Sequence, residues 1–450
     1  MLVGFLPATA KSAETERKLS LNNCIELALK NATSAKKAAY SRKLQGADVI
    51  KSYGAFLPRI SASAGYTPYA LSRTYIVTAP TETFKTTRKS VDLTLTTSLN
   101  LFNGFRDYAS LQASLKKENA AEFTLARALE SVVFDVTQAY FQVLLDRELL
   151  DIARENFLSA QDQLKLTDRQ FKVGLKSMTD RYQQEADAEQ SHLSVIKAET
   201  KMQRSMLELV RRLSLDPQIN VVLAPDSLEL QTPVATKPDI DALVAVALQR
   251  RADLQGLALE TKAAQWQVKA ARAAWYPSVD LNLVVSSGGT EYLNHEYLYP
   301  PLSEQVNNTV GYSVGVRLSW ALFDGFQTRY AVESAKLNHL NQQLDYEDLR
   351  DNIVIDLHQA AGDYASAFTQ IETAKVSFTA ARAAYEAVKR KYELGSASFV
   401  ELSTARATLF NAQSNLSQAT YNLALQKNVL DFATGNIIIP KQSESDTTIR

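Results

Sequence analysis

The stretch GYSVG, Gly311 to Gly315, has the Gly-x-Ser-x-Gly spacing that exposes a nucleophilic serine on a sharp strand-to-helix turn in hydrolases. That chemistry requires a turn at the two glycines and a histidine and an acid delivered beside Ser313. The surrounding residues argue otherwise. Val310, Tyr312, Val314, Val316, Leu318 and Trp320 alternate with Gly311, Ser313, Gly315, Arg317 and Ser319, a two-residue period that places Ser313 inside a strand. The match is a coincidence, and the chain is not read as an enzyme. The remaining reactive inventory is thin: one cysteine, Cys24, and four scattered histidines, His192, His295, His339 and His358. There is no phosphate loop, zinc motif or carboxylate pair, so no cofactor or metal is expected. Cys24 reads as a small helix residue, because the preceding LNN lacks the pattern of a lipid-anchor cleavage site.

Forty-nine basic and forty-nine acidic residues cancel, which removes the electrostatic footprint of a nucleic-acid binder. No run of eighteen apolar residues exists, so no membrane-spanning helix is expected. A β-barrel remains open, because its strands need only about ten residues of alternating polarity.

What do these residues build? The pentapeptides LFNGF (Leu101 to Phe105) and LFDGF (Leu322 to Phe326) are nearly identical and lie 221 positions apart (322 minus 101). The prolines leave two spans free, 81 to 216 and 302 to 439, where long helices are permitted. In the first, Leu129, Val132, Val136, Ala139, Val143 and their continuation recur in alternating steps of three and four, broken only at Asp146 and Thr167. Adding 221 yields Ile353, Leu357, Ala360, Tyr364 and onward to Tyr392, a second copy of the seam. This is the heptad of a left-handed coiled coil, printed twice. A helix from about 106 to 172 would be roughly 100 Å long at 1.5 Å per residue.

The fold class that follows is mainly α with a β part. Repeat 1 spans 20–213: a helix, a strand pair in 59–102, the long helix, a corner at 173–179 and a return helix. Repeat 2 spans 240–437: a helix, a strand pair in 278–323, a long helix at about 327–393, a corner at 394–400 and a return helix. In the strand region Val91 to Leu101 alternate with Asp92 to Asn100, as Val310 to Trp320 alternate with their polar neighbours. A four-proline connector covers 214–239, residues 438–450 read as a disordered tail, and MLVGFLPATAKSA within 1–19 reads as a truncated or remnant export signal. An open sheet with an apolar face and unmet edges calls for copies of itself, so an oligomer is expected.

Strand pairs ending in LFNGF and LFDGF, very long helices with glycine corners and a twofold repeat together resemble the TolC-like outer membrane efflux family, over roughly residues 20 to 437. The resemblance implies a homotrimer in which three sets of four strands form one transmembrane β-barrel, continued by an α-helical barrel across the periplasm. It implies a bacterial outer-membrane location, contact with outer membrane lipid and no nucleic-acid partner. It further implies the passive exit duct of a tripartite pump for small molecules, joined to an inner-membrane pump by a periplasmic adaptor; the alternative is the duct of a type I protein secretion system. By position, Val173, Gly174 and Leu175, with Leu394, Gly395 and Ser396, fall at the adaptor-docking tip. Glu401 and Thr404 fall at the entrance constriction, Thr404 standing where some members carry a second acid. Asp180 and Tyr392 match residues that hold the entrance shut, although the basic latch partner of such members is Ala397 here. Phe102, Gly104 and Phe105, with Phe323, Gly325 and Phe326, mark the joint between barrel and tunnel, with Asn103 or Asp324 able to cap the following helix. A soluble periplasmic coiled-coil scaffold is the less favoured reading, because it has no use for two lipid-compatible strand pairs.

Overall fold

A computed structural model describes residues 17–76, 82–216, 221–224, 239–294 and 300–439. The expected export signal, the C-terminal tail beyond 439, most of the proline-rich connector, and His295, Tyr297 and Tyr299 lie outside the described residues. Two compact units result: one from residues up to 41 with 122–255 and 347 onward, the other from 42–121 with 256–346.

The first unit is a helical bundle. It contains α1 (Leu21–Asn31), most of α3 (Arg106–Lys172), α4 (Met178–Arg212), α5 (Ile240–Arg250), most of α8 (Gln327–Glu393) and α9 (Phe399–Ala433). Each long helix has 67 residues and each return helix 35, so the two repeats are equal in length as well as in sequence pattern. Many heptad positions are buried: Val132, Val136, Ala139, Val143, Leu150, Ala153 and Ala160 on α3, and Ile353, Leu357, Ala360, Ala367, Ile371 and Ala381 on α8; on α3 the off-seam Val133, Tyr140, Phe141, Leu144, Leu145 and Ile152 are buried as well. Alanine at these positions lets helix axes approach closely, and their burial removes apolar surface at roughly 25 cal/mol per Å². Asp146, which interrupts the seam, is buried and satisfied by Lys201 Nζ at 3.1 Å and by Gln142 Nε2 at 3.1 Å. Cys24 is fully buried beside Ile25, Ala28 and Leu29 of α1, in a core with Val136, Tyr140, Leu209 and Leu213.

Two features depart from the sequence reading. Arg17–Leu19, expected in a tail, form β1 and pair in parallel with β4 (Val221–Leu223) inside the connector; Leu19, Val221 and Leu223 join the core just described. The helices expected before each strand pair are both broken once. Ala32 (φ −54°, ψ 123°) separates α1 from α2 (Thr33–Gly54), and Arg251 (φ −60°, ψ 119°) separates α5 from α6 (Ala252–Arg272). At the second break the Arg251 guanidinium, nearly buried, pairs with Asp253 at 2.6 Å, and Arg127 lies 3.5 Å from the same carboxylate. Arg127 also stacks 3.7 Å over the Phe432 ring and donates to the Phe432 carbonyl at 3.2 Å, so one ion cluster ties α3, α6 and the end of α9.

The second unit holds the sheet, with the strand-proximal parts of α3 and α8 and most of α2 and α6. Its four strands are β2 (Arg59–Ile76), β3 (Glu82–Phe102), β5 (Ser278–Tyr292) and β6 (Gly311–Ser319), antiparallel in the order β2-β3-β5-β6. The register lines Ile60, Ala62, Ala64 and Tyr66 against Thr97, Leu95, Leu93 and Val91, then Leu281, Leu283 and Val285, then Val316, Val314 and Tyr312. One face is therefore an apolar field. The other carries Ser61, Ser63, Thr94, Thr96, Ser98, Asn100, Asp280, Asn282, Ser313 and Arg317, with Asn100 donating to Asp280 at 2.8 Å and Asp280 opposite Arg317. Ser313 thus sits in mid-strand, without the strand-turn-helix of a nucleophile elbow.

β6 stops at Ser319, so Trp320 lies past the strand that the alternation assigned to it; its indole donates to the Trp275 carbonyl at 3.2 Å. A short helix without a clear period in the sequence, α7 (Leu302–Asn308), occupies the loop before β6. It does a strand's work. Where β6 ends, Thr290 N donates to Gln305 Oε1 at 3.0 Å and Gln305 Nε2 donates to the Thr290 carbonyl at 3.1 Å, while the Thr309 hydroxyl donates to the Gly288 carbonyl at 2.5 Å. Side chains thereby meet the backbone groups that would otherwise be an open edge of β5.

Candidate functional site

Two local motifs, each present twice, carry the features of interest. The first is the joint between strand and long helix. In LFNGF both Gly104 (φ 68°) and Phe105 (φ 64°) are left-handed, and in LFDGF so are Gly325 (φ 65°) and Phe326 (φ 68°). Two successive left-handed residues reverse the chain sharply, and a phenylalanine there is costly unless its ring is anchored. It is: Phe102 and Phe105 meet edge to face at 5.4 Å, as do Phe323 and Phe326 at 5.6 Å. The next helix is capped by the residue before the glycine. Asn103 Oδ1 accepts from Asp107 N at 3.3 Å, and Asp324 Oδ2 accepts from Thr328 N at 2.8 Å. The joints differ in their surroundings: a Cβ on Gly104 would stand 2.5 Å from the Ala273 carbonyl, whereas nothing lies within 4 Å of one on Gly325.

The second motif is the corner between long and return helix. Gly174 and Gly395 (both φ 75°) end α3 and α8. Leu175 N donates to the Gln170 carbonyl and Ser396 N to the Lys391 carbonyl, each at 2.8 Å, which closes a Schellman turn at both places. The return helices begin with reciprocal capping boxes. Asp180 N donates to Ser177 Oγ at 3.0 Å while Ser177 N donates to Asp180 Oδ2 at 3.0 Å. Glu401 N donates to Ser398 Oγ at 3.2 Å while Ser398 N donates to Glu401 Oε2 at 2.7 Å. The backbone and hydroxyl of Ser177 hold the Asp180 carboxyl below the usual carboxylate range. Ser-x-x-Asp and Ser-x-x-Glu make these caps legible in the sequence, where a serine, a threonine or the acidic residue of each corner is expected to cap the return helix.

Tyr392 and Asp180 do not bond to each other within the chain. The Asp180 carboxylate is held by its own cap, and the Tyr392 hydroxyl is buried with no hydrogen-bond partner among the described residues. Instead Tyr392 packs on the α8 seam with the Lys176 ammonium 4.4 Å above its ring, so a cation from the first corner contacts the second repeat. Lys172 and Arg181 converge on Asp168 at 2.6 and 3.1 Å, binding α3 to α4 behind the corner; the Lys172 hydrogen bond leads in lowering the Asp168 carboxyl. Val173, Leu175 and Leu394 are each more than 70% exposed, so the corners present bare apolar side chains. Glu401 and Thr404 are exposed on the first two turns of α9, while Leu402 and Arg406 turn inward.

One pair had no sequence signal. Arg406 of α9 is buried and forms an ion pair with Asp187 of α4, whose other oxygen lies 3.4 Å from Ser403 Oγ. Gln184, with no exposed surface, reaches the same carboxylate at 3.4 Å. This polar knot joins the return helices of the two repeats. Among the described residues no three His, Cys, Asp or Glu side chains gather into a metal-sized group, and no helix is long and apolar enough to cross a membrane.

An amphipathic antiparallel sheet feeding paired helical hairpins through repeated joints defines a channel-type membrane protein whose membrane part is the sheet. The chain matches the model of the outer membrane efflux protein family over residues 24–214 and 243–436, and it belongs to that family. That places it in the bacterial outer membrane with an extension into the periplasm. Among its relatives, the outer membrane protein TolC of Vibrio cholerae is 23% identical over 397 residues, 86% of this chain and 84% of that protein. The alkaline protease secretion protein AprF of Pseudomonas aeruginosa is 25% identical over 381 residues, 80% of this chain and 76% of that protein. The solved outer-membrane channel OprN shares the fold with a TM-score of 0.78 at 21% identity, covering 92% of this chain and 90% of OprN. The Campylobacter jejuni outer membrane channel CmeC gives 0.77 at 20% identity, covering 94% and 87%.

Proposed function

We propose that this protein is the exit duct of a tripartite efflux pump, a homotrimer that carries small molecules out through the periplasm and outer membrane. The single observation that carries the reading is the four-stranded sheet, predominantly apolar on one face between Leu101 and Val91 and open at both β2 and β6. Lipid excludes unpaired backbone edges, so such a sheet is stable in a bilayer only when its edges meet those of other copies and close a barrel. The apolar face then meets outer membrane lipid, and the face bearing Asp280, Asn100 and Arg317 lines water. The duct itself performs no chemistry; direction and energy come from an inner-membrane pump reached through a periplasmic adaptor.

The corners are the docking surface for that adaptor. Exposed Val173, Leu175 and Leu394, held in fixed turns by Gly174, Gly395 and Ser396, supply an apolar patch with rigid backbone. Glu401, Thr404, Asp180 and Tyr392 are assigned to the entrance, Tyr392 as a buried residue of the α8 seam. Service in protein secretion is supported by the likeness to AprF, and it uses the same duct, because cargo is chosen by the pump.

Negative-stain images of the detergent-purified protein test the reading. Threefold hollow cylinders on the order of 100 Å or longer, as the helix length requires, are expected. A folded monomer that stays soluble without detergent would overturn it.

A further inference from the structure

The outward face of the sheet does not end at the apolar field. Val91 is its last apolar residue on β3, and the next side chains on that face are Lys89, Thr87 and Lys85. From Leu101 to Val91, ten residues along a tilted strand span about 25 Å of height, the thickness of a barrel's lipid-facing band. Lys89 to Lys85 then lie on the order of 5 to 15 Å beyond its edge, at the level of lipid headgroups.

The partner strand adds to this. Between Thr67 and Ala70 the register slips by one residue on β2, a bulge that exchanges its two faces. Without it Ser72 would point outward; with it Arg73 does, directly opposite Lys85. Both are exposed, and neither forms an ion pair among the described residues. Lys89, two positions nearer the band on that face, is 2.9 Å from Glu291 of β5. Like charges set opposite each other across a strand pair are destabilising when nothing lies between them. The bulge turns Tyr69, Leu71 and Arg73 outward together, and an anion in contact with both Arg73 and Lys85 would offset the repulsion between them.

We infer that Arg73, Lys85 and Lys89 form a binding surface for the phosphate groups of outer-leaflet glycolipid. The partner follows from position and charge: a surface continuous with the lipid-facing band, cationic, and at headgroup height meets membrane phosphates first. The inference rests on the barrel reading, and its test separates the two.

The trimer in detergent is titrated with lipopolysaccharide of defined core, and with the same glycolipid after removal of its phosphates. Binding is followed by native mass spectrometry, beside a variant carrying Arg73→Ser with Lys85→Ser. The parent is expected to prefer the phosphorylated form, and the double variant to lose about tenfold in affinity for it. A charge-conserving exchange, Arg73→Lys with Lys85→Arg, keeps binding and guards against a folding defect. Equal binding of both glycolipids by the parent, or parental affinity in the double variant, overturns the inference. Failure of the barrel reading shows elsewhere: the parent then lacks heat-modifiable gel migration and is absent from outer-membrane fractions.

Discussion

At the scale of single residues the repeat sets up its own controls. Gly104 and Gly325 share a left-handed backbone, but only Gly104 abuts the Ala273 carbonyl. Gly325→Ala is expected to cost about 1 kcal/mol for the backbone conformation alone, and Gly104→Ala clearly more, read from thermal unfolding by circular dichroism. Equal losses would show that the contact is unimportant. Ser214 (φ 51°) ends α4 as Gly435 (φ 68°), 221 positions later, ends α9. Ser214→Gly should therefore stabilise by up to about 1 kcal/mol. The reverse change at Gly435 meets Arg251 at 3.3 Å and should destabilise. The buried pair of Arg406 and Asp187 gives a third case. Arg406→Met leaves an uncompensated carboxylate and should cost about 3 kcal/mol, whereas the joint change Arg406→Met with Asp187→Leu should recover most of it. A double-mutant cycle with no coupling would refute the pairing.

At the scale of elements, the corners are held by caps, and caps titrate. Serine hydrogen bonds lower the Asp180 carboxyl in the folded chain, so the cap's contribution is complete above the unfolded value near 3.9 and is lost as pH falls through the lower folded value. Hydrogen exchange in the first turn of α4 should accelerate on acidification below about pH 4. Ser177→Ala should remove that pH dependence and cost about 1 kcal/mol locally. The elements also show what the sequence made legible. Seam residues such as Val136 and Leu357 announced both long helices; burial follows the 3.5-residue period closely on α8, while on α3 off-seam residues such as Tyr140 and Leu144 are buried too. The two-residue period announced β3 and β6. It overran at Trp320, whose apolar ring fits the alternation while its indole is drawn to the Trp275 carbonyl. α7 and the pairing of β1 with β4 were illegible, since both are held by contacts with distant segments. So was the knot of Arg406 and Asp187, because a charged residue on a helix gives no sign in sequence of facing inward. Glu401 and Asp180 match entrance positions of the family only by resemblance, whereas local hydrogen bonds engage both in caps.

At the scale of the molecule, the two faces of the sheet make opposite demands. Leu95 lies in the apolar field and Thr96 on the polar side. Leu95→Arg should cost about 2 to 4 kcal/mol per copy near the membrane midplane and sharply reduce outer-membrane insertion, while Thr96→Arg should insert normally. Fractionation followed by immunoblotting distinguishes them, and equal insertion of the two would reverse the assigned faces. The open edges of β2 and β6 carry a genetic consequence. In the proposed homotrimer a wall that closes only when every edge finds a sound neighbour has no half-built form, so a copy with a ruined strand would withdraw its healthy siblings along with itself. Defective alleles of this gene are expected to act dominantly, and coexpressing a tagged edge-strand variant with the parent should lower efflux well below half.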